Sequence, residues 1–273
     1  MSTQYKTIDP ESQGSGKKES KAVLIKNLKD RVGEDKLKTL DSKQGDLDPE
    51  TSNRVSGIVD FQDKNNISIS ESMYHCVTDA PDPLGLQLGW EGGIPRWKKR
   101  STVQFAAFAE GYPTSDQALY AAQMLEKAAE EWNGLQPELG VDFKWVNDID
   151  DAAFVLSYGG DAGSMLARAF FPNVEELSTV YVYKKAFEPG NVNFMKDVFV
   201  HELGHVLGLR HEHAPELEGD TVTLGERNRD SVMGYYRFPP KMQESDKKNT
   251  KAFYNIESGK YKGWPIKDFV PVN

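Results

Sequence analysis

The stretch His201-Glu202-Leu203-Gly204-His205-Val206-Leu207-Gly208-Leu209-Arg210-His211 decides how this chain is read. His201 and His205 are four residues apart, so on an α-helix they share one face, one turn apart, and both rings can reach a single ion. Glu202 stands one step round the helix, placed to hydrogen-bond a water at that ion rather than to ligate the ion itself. Gly208 tolerates a positive φ and readily ends a helix, so the chain can turn there and bring His211 back as the third ligand. Three protein ligands leave a coordination position open, which marks a catalytic zinc rather than a structural one. The ordinary alternative is a helix with a few solvated histidines. It loses because five fixed positions coincide, and because four of the chain's five histidines fall between 201 and 213.

Composition bounds the rest. At 273 residues the expected scale is one medium domain with extensions. A net charge of −9 argues against a nucleic-acid binder, which needs a basic surface. No apolar run has the length of a membrane span. The first residues, MSTQYKTIDPESQGSGKKES, lack an apolar stretch of secretory type, and one cysteine makes no internal disulfide. The compartment is therefore left open between the cytoplasm, unconventional export and export with a signal since removed.

Along the chain, residues 1–55 are polar and charged and read as a disordered extension, with at most a short helix at Val23-Leu24-Ile25-Lys26-Asn27-Leu28. Ile67 and Ile69 alternate with serines as in a short strand, and residues 78–83 form a rigid extended or turn segment. Residues 94–273 are the expected globular domain. Its first strand is read at 102–108. Thr114 with Gln117 makes a candidate capping box, followed by Leu119, Ala122, Leu125, Ala129 and Trp132 at helical spacing, up to Asn133-Gly134. Strands are expected at 141–146, 153–157, Met165-Leu166-Ala167-Arg168-Ala169-Phe170 and 180–183. Phe194, Val198 and Val206 then carry the helix of the first two ligands. The sum is an α/β (α+β) domain.

Downstream lies Ser231-Val232-Met233-Gly234-Tyr235. The extended histidine motif followed by this methionine resembles the metzincin zinc metallopeptidases. The resemblance covers about residues 94–256. It implies a zincin fold: a twisted mixed sheet with two main helices in an N-terminal lobe and a small C-terminal lobe, flanking a zinc cleft. Met233 would be an apolar base under the histidine rings. The pattern S-x-M-x-Y is similar to astacins and serralysins, which implies Tyr235 as a further zinc ligand that swings away to stabilise an oxyanion. Residues 166–172 resemble the matrixin edge strand instead, so the subfamily stays open. Relatives of this kind are mostly secreted.

The resemblance implies one catalytic Zn2+, with peptide-bond hydrolysis and Glu202 as general base. The partner is then a polypeptide bound extended along the edge strand from Met165 to Phe170. Arg227, Arg229 and Arg237 are either a bias towards acidic side chains or ordinary solvated arginines. Residues 56–93 form a candidate pro-segment. Within it, Cys76 as a thiolate on zinc, or Asp79 or Asp82, would hold a latent proenzyme; a small buried cysteine is the plainer reading. Ca2+ near Gly160-Asp161 is a weaker expectation. Two other function classes stay in view: a catalytically silent zinc-binding interaction protein on the same fold, and a zinc hydrolase of non-peptide amides.

Overall fold

The computed structural model describes residues 13–33, 93–211, 222, 223, 225 and 228–273. The readings made for Ile67, Ile69, Cys76, Asp79, Asp82, the 78–83 turn and Arg227 lie outside the described residues. In chain order, and leaving aside short 3-10 turns, the elements are α1 (Gln13–Val32), β1 (Ile94–Trp97), β2 (Ser101–Ala107), α2 (Ser115–Asn133), β3 (Val141–Trp145), β4 (Phe154–Tyr158), β5 (Ala167–Arg168), β6 (Ser178–Val182), α3 (Met195–Val206), α4 (Glu244–Tyr254), β7 (Lys260–Tyr261) and β8 (Trp264–Phe269).

Five strands form a mixed sheet in the order β3-β2-β4-β6-β5. The first four run parallel, and β5 is antiparallel to β6 at one edge. Alternation along the strands divides the side chains between two faces. Val103, Phe105, Ala107, Phe154, Leu156, Val180 and Val182 face the main core with α2 and α3. Thr114 caps α2 by accepting from the Gln117 N–H at 3.2 Å. Trp132, fully buried on α2, donates its indole N–H to the Val200 carbonyl at 2.9 Å and so fixes α3 against α2.

The other face carries a longer helix than the short one expected at residues 23–28. Residues 13–32 are the helix α1. Leu24, Leu28 and Val32 recur every four residues, and bury themselves against Ala106, Phe108, Val155, Tyr158, Tyr181 and Tyr183. Lys21 pairs with Asp150 at 2.7 Å, and the Arg31 guanidinium lies 4.7 Å from the centre of the Tyr181 ring. An isolated helix so polar is marginal in water. Packing on the sheet supplies what its composition lacks.

The edge strand is shorter than the six residues expected. Only Ala167 and Arg168 pair with β6, opposite Val182 and Tyr181, and Leu166 adds one bond by accepting from the Tyr183 N–H. Beyond Arg168 two successive aromatics require different places. Phe170 is buried 5.5 Å from the Phe154 ring, while Phe171 lies beside His205, so the chain bends out of the sheet.

The lobe after Gly208 is not built from C-terminal residues alone. A second sheet has the order β1-β8-β7, with β1 parallel to β8. Buried Arg96 in β1 donates to Asp268 at 2.6 Å and to the carbonyls of Phe253 and Ile256 at 2.7 and 3.1 Å. One side chain thus ties β1 to β8 and to the end of α4.

Candidate metal centre

Helix α3 ends in a Schellman arrangement. The Gly208 N–H donates to the His205 carbonyl at 2.8 Å and the Leu209 N–H to the Gly204 carbonyl at 2.9 Å. Gly208 has φ 91°, and a Cβ there would run into the Pro95 carbonyl of β1. Both facts require glycine. The turn also aims the Leu209 carbonyl at His205, whose Nδ1 donates to it at 2.8 Å.

His201 donates from Nδ1 to the Val232 carbonyl at 2.7 Å. Carbonyl oxygens only accept, so in both rings Nδ1 carries the proton and Nε2 presents a lone pair. His205 Nε2 lies 3.1 Å from His201 Nε2 and 3.1 Å from His211 Nε2. His201 and His205 are fully buried, and His211 nearly so. Lone pairs facing each other at this distance, away from water, repel unless a cation lies among them. Zinc–nitrogen bonds at tetrahedral angles would set such atoms about 3.3 Å apart, so the donor set fits this ion. Among the described residues, His201, His205 and His211 are the one group of His, Cys, Asp or Glu able to hold a metal.

The other site residues gather round this point. The Tyr235 hydroxyl is 2.8 Å from His211 Nε2, and its ring centre is 4.6 Å from that of His211. Glu202 is fully buried on α3. Met233 is buried, and a Cβ on Gly204 would run into its sulfur, so the bare glycine lets the methionine sit against α3. Phe171 meets the His205 ring edge-on at 5.6 Å.

Other expectations fare differently. Asp161 accepts from Lys184 at 2.9 Å and from the Gly163 N–H, and the lysine holds its carboxyl below the usual range. It belongs to no metal-ligand group among the described residues. Arg229 and Arg237 are exposed, and Arg229 stacks 4.6 Å over the Tyr236 ring. Asp246 was missed altogether. It lies buried next to the Met233 turn, and its one sequence signal is the Gln243-to-Asp246 capping spacing at the start of α4.

Three histidines from one helix and its following turn, a glutamate between the first two and a buried methionine against that helix are the arrangement that the resemblance to metzincins implies. Residues 191–267 match the family model described as Met-zincin. No curated protein matches the chain. Among solved structures it is similar to myroilysin, at 14% identity with a TM-score of 0.46, over 79% of this chain and 100% of that one. A second myroilysin structure gives 14% identity and a TM-score of 0.45, over 59% of this chain and 96% of that one. High choriolytic enzyme 1, a hatching enzyme zinc-protease from the medaka fish Oryzias latipes, is 15% identical with a TM-score of 0.42, over 63% and 100%.

Proposed function

We propose that this protein is a zinc-dependent endopeptidase. The convergence of three buried Nε2 atoms and the Tyr235 hydroxyl on one point carries the reading. His201, His205 and His211 would hold the ion. Bound there, zinc supplies Lewis-acid polarisation of a carbonyl and a lowered pKa for water. Glu202 takes the proton of the attacking water on its carboxylate and returns it to the departing amine nitrogen. The Tyr235 O–H donates to the oxygen that gains charge at the scissile carbon. Phe171 packs edge-on against one side of the His205 ring. The outer edge of β5, which pairs with no further strand among the described residues, accepts an extended peptide by main-chain bonding.

The test is cleavage of an unstructured protein such as casein, with zinc content measured alongside. Activity lost to a chelator and regained with added zinc is expected. Stoichiometric zinc without cleavage would favour the silent binding reading instead. The proposal extends to a latent form in which Cys76, Asp79 or Asp82 blocks the ion. Deleting residues 1–90 would also strip α1 from the sheet, so Cys76→Ala in the full chain is the cleaner probe of the cysteine. Higher activity supports that switch, and unchanged activity dismisses it.

A further inference from the structure

We infer that Asp246 is a positioning residue for the metal centre, acting on His201 through the Met233 turn; this rests on the zinc reading above. Asp246 lies in the first turn of α4 and is 8% exposed. Its Oδ1 accepts from the Ser231 hydroxyl at 2.7 Å. Its Oδ2 accepts from the Val232 N–H at 2.9 Å and the Gln243 N–H at 2.8 Å. The Ser231 oxygen in turn accepts from the Met233 N–H at 3.1 Å. That N–H belongs to the same peptide plane as the Val232 carbonyl, which takes the proton of His201 Nδ1 at 2.7 Å.

These bonds form one unbroken chain. It runs from His201 Nδ1–H to the Val232 carbonyl, across the peptide to the Met233 N–H, then to Ser231 Oγ, whose proton goes to Asp246 Oδ1. Each bond polarises the next. Meanwhile Oδ2 holds the Val232 N–H, so both peptide planes flanking Val232 are fixed. The effect falls on the tautomer of His201. With the Val232 carbonyl held in place, the proton stays on Nδ1 and the Nε2 lone pair stays directed at the ion. If that carbonyl drifts, the ring loses the partner that selects the tautomer. A carboxylate suits the role because it can accept from three donors on two oxygens. Asparagine keeps most of the arrangement: its oxygen can serve both N–H groups while its amide donates to Ser231 Oγ. Alanine keeps none.

The experiment measures Zn2+ affinity of the full chain by competition with a chromophoric chelator, beside thermal unfolding of the metal-free protein. Asp246→Ala should weaken zinc binding about 10–100-fold. Asp246→Asn should stay close to the parent. Thr250→Val is the control: it removes the buried bond from Thr250 Oγ1 to the Asp246 carbonyl at 2.7 Å, leaving the carboxylate untouched, and should keep parental zinc affinity while losing stability. Equal affinities for Asp246→Ala and Thr250→Val, whether both normal or both weak, overturn the inference. If Asp246→Ala does not fold, Ser231→Ala tests the same chain, with a smaller loss expected and no loss overturning it. A parent chain that binds no zinc sinks the zinc reading itself, whereas zinc binding indifferent to Asp246 sinks only this inference.

Discussion

The two faces of the five-stranded sheet are covered on different terms. On one, α2 and α3 bury a broad apolar surface and α3 carries His201 and His205, two of the three histidines of the candidate metal centre. On the other, α1 lies on the sheet through Leu24, Leu28 and Val32, with Val23 57% exposed beside them. The first helix is specified by chemistry and packing together, the second by packing alone. Substitution of the site side chains on the α3 face should therefore appear in catalysis with stability kept, and damage to the α1 face in stability with catalysis kept.

Glu202→Gln puts the largest strain on this contrast. It should lower turnover about 10²–10⁴-fold, with zinc content and melting temperature unchanged; retained cleavage would remove the general-base role. Tyr235→Phe comes next, with kcat down by up to about 10²–10³-fold and KM little altered. A steady-state comparison with unchanged kcat would reject the oxyanion role. On the opposite face, Leu28→Ala empties a fully buried position and should cost about 2–5 kcal/mol in denaturant unfolding. The kcat of the folded fraction should hold, and a fall in kcat at full folding would mean that the two faces are coupled. Smallest is Lys21→Ala, which removes an ion pair to a largely exposed Asp150 and should cost no more than about 1 kcal/mol in the same measurement.

Legibility follows the range of the interactions. The helix bearing His201 and His205, the strand expected at 141–146 and found at 141–145, and the Thr114 cap were all readable, because each depends on residues within a turn or two of one another. Helix α1 was read as at most a short helix at 23–28 because two glycines and a run of lysines precede a stripe only one residue wide. Its partners, Phe108, Tyr181 and Tyr183, lie far along the chain. The edge strand was drawn too long because pairing with β6 ends where Phe170 and Phe171 take different sides. Asp246 showed only as part of a helix cap, though it serves Ser231 and Val232 from the start of α4.

From the amino-acid order alone come the three histidines, the glutamate between the first two and the glycine turn, since helical periodicity and one cap suffice to bring the three imidazoles to one point. Folding in three dimensions settles the rest. It determines which carbonyls select the histidine tautomers, which carboxylate steadies the Met233 turn, and what covers the back of the sheet. Each of these rests on burial between residues distant in sequence, where local spacing carries no signal of the partner.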